Sequence, residues 1–284
     1  MFRTARPLVD GNGVVFAVLA GRPDDPTYVE ACDSMFEAMM ESKAAGIRPK
    51  SKQAHRRGLH STVNYGLSYG KGQPQPSMLN VDNNYIGFIQ RLVNLPCVRR
   101  TATFASTAFS LWSPRLFRYY EERISALHLK LGTTPPFRSS IFPCGAFNFG
   151  GNVWTYQHRD RMNCPFGWCA ILALGRFNPS LGSHLILWEL KMVIEFPHAA
   201  TVFIPSATIT HSNTVPAPGD ERVSFTQFCA GGLFRWVDNG FRTEIQLYDE
   251  DYLAYERVQV DKDARWEMGL GLYSTVDELL NRVD

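Results

Sequence analysis

At Arg138 the chain changes its hydrophobic rhythm, and this change constrains the fold more than any other feature of the sequence. Before it, apolar residues recur at helical spacing. After it, apolar and β-branched residues come in short runs parted by turn residues. The runs are Ala146–Phe149, Val153–His158, Cys169–Leu174, His184–Trp188, Met192–Phe196, Thr201–Ile204 and Val223–Phe228. Runs this short suit strands rather than helices. Many short strands in succession predict two sheets closed around an interior, as in a β-sandwich or jelly roll. Helices ahead of strands predict an α+β arrangement in which N-terminal helices buttress one sheet.

The first half gives sparser signals. Asp24 to Ala45 reads as a helix. Pro26 stands near its start, Tyr28, Cys32, Met35, Phe36, Met39 and Met40 recur along it, and Gly46 follows. A second helix is expected over Asn84–Val93. Ser113-Pro114 opens a third, which Gly132 and Pro135-Pro136 stop after Leu131. Val14–Ala20 reads as a strand. Residues 46–81, broken by Gly58, Gly66, Gly70, Gly72, Pro74 and Pro76, read as a long loop. Beyond Trp236 a short helix is expected around Ser274–Val283. One compact unit is predicted, with a helical, basic stretch at 1–137, a jelly-roll core at 138–237 and an acidic extension at 238–284.

The predicted strands carry one chemical constellation. His158 and Asp160 are two apart at the end of a run, so on a strand both side chains face one way. His211 follows the run Thr201–Ile204 and the Pro205-Ser206 break and can close the group. Two imidazoles and a carboxylate suit Fe(II) and leave three positions open, enough for a bidentate co-substrate and then O₂. Arg222 and Ser224 share a strand face 11 residues beyond His211. A guanidinium fork with a hydroxyl can grip the distal carboxylate of 2-oxoglutarate. His184 and His198 read as structural, and His55, His60 and His128 lack ligand spacing.

Charge is unevenly spread, although the net is only +2. Between Ser42 and Tyr120 stand twelve Lys/Arg and one acid, Asp82, and from Asp238 to Asp284 twelve acids face five Lys/Arg. Either the basic half meets a polyanion, or the two halves neutralise each other when packed. A polyanion would meet Arg48, Lys50, Lys52, Arg56, Arg57 and Lys71, with Tyr65 or Tyr69 stacking on a base. Trp154 and Tyr156, on the predicted strand face of His158, are candidates for the pocket wall, with a plain core role the alternative for Trp154.

Other classes are disfavoured. At 45% hydrophobic the chain can bury a full core, against disorder. No run approaches the roughly 18 apolar residues that span a bilayer. Val14–Ala20 lacks the flanks of a signal peptide. Six cysteines without a C-x-x-C pair suggest free thiols rather than zinc or disulfides. A nuclear or cytoplasmic monomer is expected.

The stretch Ile141–Trp236 resembles the catalytic core of the fungal TET/JBP-like Fe(II)/2-oxoglutarate-dependent dioxygenases. The resemblance rests on His158-Arg159-Asp160 with Asn163, Pro165-Phe166-Gly167-Trp168-Cys169-Ala170, Ile204-Pro205-Ser206-Ala207 and His211-Ser212-Asn213-Thr214. It continues through Arg222-Val223-Ser224 and Ala230–Trp236, and upstream to His55-Arg56-Arg57-Gly58 and Gly70-Lys71-Gly72-Gln73. It implies a double-stranded β-helix, Fe(II) and 2-oxoglutarate as cofactors with O₂, and oxidation of a methylated base in DNA. It further implies that His158, Asp160 and His211 hold the iron and that Arg222, helped by Ser224, anchors the keto acid. Gln73 and Asn163, in matched motifs, join Arg56, Arg57, Tyr69, Lys71 and Tyr156 as substrate candidates. The chain departs from the animal branch in having no Cys-rich stretch before the core and no long insert between Asp160 and His211.

A base in a duplex must be flipped out to reach buried iron. Hydroxylation of N6-methyladenine gives a hemiaminal that loses formaldehyde, whereas 5-methylcytosine gives a stable alcohol. The iron motif serves both, and the resemblance tilts towards 5-methylcytosine. Two further readings stand beside double-stranded DNA carrying a methylated base. One is a hydroxylase of a protein or small molecule; the other is a non-catalytic jelly-roll DNA-binding module.

Overall fold

The computed structural model describes residues 4–47, 57–70 and 72–281. The chain opens with β1 (Arg6–Val9) and β2 (Val15–Gly21), followed by helix α1 (Pro26–Met40). Asp25 caps α1 by accepting from the Thr27 amide, and Pro26 sits in the first turn, where no backbone donor is lost. Next come β3 (Ser61–Ser68), β4 (Ser77–Met78), α2 (Ile86–Asn94), α3 (Pro96–Trp112) and α4 (Pro114–Leu131). Gly132, left-handed at φ 61°, ends α4. The strand-rich half supplies β5 (Cys144–Phe149), β6 (Cys169–Arg176), β7 (Leu185–Leu187), β8 (Met192–Ile194), β9 (Thr201–Ile204), β10 (His211–Asn213) and β11 (Glu221–Phe228). Helices α5 (Gly231–Asp238), α6 (Glu244–Glu250), α7 (Tyr252–Leu270) and α8 (Val276–Leu280) complete the chain.

Eight strands form one sheet in the order β1-β2-β9-β6-β11-β5-β3-β4, and β10-β7-β8 form a second. Neighbouring strands run antiparallel throughout both sheets. The architecture is α+β, a jelly roll buttressed by helices. On the outer face of the large sheet, Phe147, Phe149, Leu172, Leu174, Val223 and Phe225 pack with Phe36, Met39, Ile89 and Val98 of the helices. Between the sheets, Ala17, Ala173, Leu185, Leu187, Phe196 and Ile204 form a smaller apolar core. A third cluster seats α4 and α5 on Trp168 and Phe203 through Phe109, Tyr120 and Phe234.

Four departures from the sequence reading have physical causes. The expected loop at 46–81 contains β3, which pairs with β5 from Ser61↔Phe149 to Gly66↔Cys144. Thr62 and Asn64 occupy its inward positions, so polarity there hides the strand. Gly66 sits at φ 130°, where an added Cβ would lie 2.2 Å from the Pro143 carbonyl. Helix α3, unpredicted, buries Ala102, Ala105, Ala108 and the polar Thr101 and Ser106 beside Val98 and Phe109, a face of small residues rather than a stripe of large apolar ones. Val153–His158 forms no strand. It crosses between the sheets, with single bridges only, Asn152 to Arg222 just before it and His158 to His211 at its end. Helix α7 has no buried stripe to betray it.

The first 137 residues supply β1 to β4, all of which are strands of the large sheet. The acidic end is tied in as well. The Val15 amide donates to Ser274 at 2.8 Å, and Arg115 meets Glu278 at 2.7 Å. Arg123 meets Asp238 at 2.9 Å, so the basic and acidic halves partly neutralise each other. All six cysteines are free thiols, and no helix among the described residues is long and apolar enough to cross a membrane.

Candidate metal centre and co-substrate pocket

His158 and Asp160 lie on the segment that crosses between the sheets, and His211 opens β10. Reciprocal backbone bonds of 3.0 Å between His158 and His211 hold the two histidines side by side. The Asp160 amide donates to Ser206 at 2.8 Å, which anchors the third residue. One ligand atom from each of the three lies within 4.8 Å of the others. His158 Nε2 stands 3.9 Å from Asp160 Oδ1, and His211 Nε2 stands 3.9 Å from Asp160 Oδ2. These separations are too long for hydrogen bonds and suit donors arranged about a common ion.

The proton on each ring is placed by the backbone. His158 Nδ1 lies 2.7 Å from the Tyr156 carbonyl and His211 Nδ1 lies 3.0 Å from the Ile209 carbonyl. A carbonyl only accepts, so both Nδ1 atoms carry hydrogen and both Nε2 lone pairs are left for a metal. Burial, and then the neighbouring His211, hold the His158 pKa well below its usual value, so this ring is neutral. Asp160 Oδ1 is buried without a hydrogen bond; Arg57 Nη2 comes within 2.7 Å but is not aligned to form one. This carboxylate therefore already faces one cation, Arg57, while its unfilled hydrogen-bonding capacity stays open to a metal beside the two Nε2 atoms.

An outer clamp steadies the group. Arg159, between the two ligands of the first segment, donates through Nε to Thr210 Oγ1 at 2.8 Å and pairs with Glu189. Glu189 in turn accepts from the Thr210 amide at 2.8 Å, next to His211. Burial opposes ionisation of Glu189, yet the bonds from Thr210 and Arg159 prevail and hold its pKa at about 2.

The three side chains face a cavity of about 320 Å³ between the sheets. Its large-sheet wall includes Asn148, Ser224 and Thr226, and its other wall includes Leu185 and Asn213. Arg222 lies on the same face of β11 as Ser224 and Thr226. It is 1% exposed. Its Nη1 donates to the Val153 carbonyl at 2.8 Å, while Nε and Nη2 have no partner. Burial lowers its pKa to about 10, so it stays charged at neutral pH. Nε and Nη2 form the edge of the fork that meets a carboxylate side-on. Ser224 Oγ accepts from Asn148 Nδ2 at 3.0 Å, which leaves its own proton to donate. The residues therefore fit both an Fe(II) ion and the free carboxylate of a dicarboxylic keto acid.

The remaining substrate candidates fare differently. Arg57 and Asn163 line the cavity. Arg56 and Lys71, with Arg48, Lys50, Lys52 and His55, lie outside the described residues. Tyr69 is 8% exposed and its ring packs 6.4 Å from Trp236, so it offers no free stacking face. Tyr65 likewise packs edge-on against Phe137. Gln73 caps a turn by accepting from the Gly70 amide at 3.1 Å. Tyr156 packs on Trp154 outside the cavity, and Thr155 takes the lining position, because the segment is not a strand. Sequence reasoning passed over Asn148 and the Glu189 clamp, and it set aside His60, which lines the cavity. Asn148 had left a signal, an amide in the middle of the apolar run Cys144–Phe149.

The fold defines a class, the double-stranded β-helix proteins. No protein-family model matches the chain, and no curated protein matches it in sequence. Among solved structures, NgTET1 in complex with 5mC DNA matches with a TM-score of 0.57, over 81% of this chain and 78% of that one, at 14% identity. At that identity the likeness is one of fold. OsALKBH1 (TM-score 0.40, 10% identity, 80% of this chain and 100% of that one) is more distant. So is a Pseudomonas putida prolyl-4-hydroxylase (TM-score 0.39, 14% identity, 71% and 86%).

Proposed function

We propose that this chain is an Fe(II)/2-oxoglutarate-dependent dioxygenase that oxidises the methyl group of a methylated base in double-stranded DNA. One observation carries the dioxygenase reading. A cluster of two imidazoles and a carboxylate faces the same cavity as a strand whose buried guanidinium has two unfilled donors. Iron with 2-oxoglutarate and O₂ supplies the oxidant, the keto acid leaving as succinate and CO₂ while a C–H bond gains oxygen.

The chain's own residues do the rest. His158, Asp160 and His211 hold the metal on one side. Arg222 pairs with the distal carboxylate of the keto acid, and Ser224 donates to it. The buried walls keep bulk water from the reacting atoms. Asn64 stands at the cavity mouth on β3, exposed, and offers an amide to the polar edge of a base. Support for a DNA substrate comes from the basic stretch Ser42–Tyr120 and from the fold shared with NgTET1, which was solved with 5mC DNA. The base would be either 5-methylcytosine or N6-methyladenine, and a nuclear site of action goes with that substrate.

The test is mass spectrometry of nucleosides after the Fe(II)-loaded protein and 2-oxoglutarate are incubated with duplexes carrying each methylated base. A hydroxymethyl or demethylated product supports the reading. Decarboxylation of 2-oxoglutarate without any base product on any duplex would move the substrate to a protein or small molecule.

A further inference from the structure

A second cleft lies on the other side of the segment that follows Asp160. It has a volume of about 320 Å³, and Met162 and Asn163 line both it and the iron-facing cavity. The Gly231 amide donates to the Met162 carbonyl at 2.9 Å, which fixes the shared wall. A Cβ on Gly232 would come 2.5 Å from the Tyr69 carbonyl, so only glycine lets α5 approach this closely. The far wall is α7, the helix in the acidic end of the chain.

Despite that origin, the cleft is basic. Arg161, Arg235, Lys262 and Arg265 line it against one acid, Asp238. Asp238 is already matched by Arg123 at 2.9 Å. Lys262 is paired with Glu244 at 3.2 Å, and among the described residues the three arginines of the cleft make no ion pair. The walls between these charges are apolar. Trp266 is 40% exposed and Met162 54% exposed. Three unmatched guanidinium groups beside an exposed indole form a pattern that recognises a phosphate joined to a flat ring. The volume lies at the small end of ligand clefts, suited to one nucleotide rather than a large cofactor.

We infer that this cleft is a nucleotide subsite, and that it holds the phosphate and base next to the nucleotide presented to the iron centre. This rests on the DNA-substrate reading above. The shared wall at Met162 and Asn163 makes the two cavities neighbours along one strand. The arginines take the phosphate, and Trp266 stacks on the adjoining base. The acidic end of the chain thus contributes a binding wall through Lys262, Arg265 and Trp266.

The experiment measures fluorescence anisotropy of a labelled duplex carrying one 5-methylcytosine, across a salt series, with the Fe(II)-loaded full chain. Three variants are compared with wild type: Arg235→Gln/Arg265→Gln, Trp266→Ala and the charge-keeping Arg235→Lys/Arg265→Lys. Free deoxycytidine monophosphate is titrated in parallel, and thermal melting confirms that each variant is folded. The glutamine pair is expected to flatten the plot of log affinity against log salt by about 0.9 per lost phosphate contact. Trp266→Ala is expected to weaken duplex binding about tenfold with the slope unchanged. The lysine pair should keep the wild-type slope. If wild type oxidises the duplex but all variants bind it alike, the subsite is refuted while the function stands. If the variants lose the free nucleotide yet bind duplex normally, the cleft is a site for a small effector and the inference also fails. If wild type neither binds nor oxidises any duplex, the DNA reading itself falls, and the subsite with it.

Discussion

Strand β11 faces two different environments. On one side, Val223 and Phe225 are sealed against the helices, with Phe225 stacked 4.7 Å from Phe147. The polar residues on that side are matched: Gln227 donates to Ser140 Oγ at 2.6 Å, and Glu221 lies 3.6 Å from Arg176. On the other side, Arg222 keeps two donors unmatched in a buried position. Leaving buried polar groups without partners is costly. The outer face is therefore arranged for stability, and the inner face holds binding capacity in reserve for a ligand. Across the cavity, Asp160 Oδ1 likewise lacks a hydrogen bond, though Arg57 pairs with it at 2.7 Å.

If that division is right, substitutions on the two faces separate function from stability. Asp160→Ala should lower turnover more than about a hundredfold, beyond what the loss of an outer-shell partner costs. Metal-free protein should melt only slightly lower than wild type, because Arg57 loses its partner but is one-third exposed and can take water instead. DNA binding should persist. Assays of 2-oxoglutarate consumption beside calorimetry check this, and near-normal turnover would remove Asp160 from the metal. Phe225→Ala should do the reverse. It should cost about 3–5 kcal/mol in chemical denaturation, while 2-oxoglutarate affinity, read below the unfolding transition, holds. Loss of both together would break the comparison.

Arg222→Leu probes the reserve itself. Removing two bonds to a charged ligand should raise the 2-oxoglutarate dissociation constant about a hundredfold. Replacing an incompletely bonded buried cation with a hydrocarbon should leave metal-free stability equal or greater, by about 1 kcal/mol. An unchanged 2-oxoglutarate requirement would take Arg222 out of its role.

The same two faces explain what was legible in the sequence. Strands with alternating or continuous apolar runs were read almost to the residue, as at Thr201–Ile204. The iron cluster was legible because two of its members are two residues apart and the third comes with Arg222-Val223-Ser224. Strand β3 was missed because Thr62 and Asn64 face the polar cavity, so its function erased its pattern. The pairing of His158 and Asp160 was right for the wrong reason. They converge with His211 from an irregular crossing segment held by backbone bonds to His211 and Ser206, not from a strand. Tyr69 was misjudged because sequence alone does not say that its ring lies against Trp236.

Glu189 tests the comparison most finely, because it lies outside the cavity yet acts on it. Its carboxylate ties Arg159, between two ligands, to Thr210, beside the third. Glu189→Gln keeps the shape and removes the charge, so Arg159 loses its anchor. Fe(II) affinity should fall about tenfold, the lower end of outer-shell effects, with 2-oxoglutarate affinity of the metal-loaded protein little changed. The ionised clamp also stabilises the fold with a definite pH dependence. Its pKa is depressed from 4.5 to about 2. The contribution is therefore complete above pH 4.5 and fades as pH drops towards 2. Glu189 is largely exposed, so solvent screening keeps the effect small. The melting-temperature gap between wild type and Glu189→Gln should narrow as pH falls through that window. A gap that stays constant down to pH 2 would show that the clamp holds by hydrogen bonding alone, without the charge.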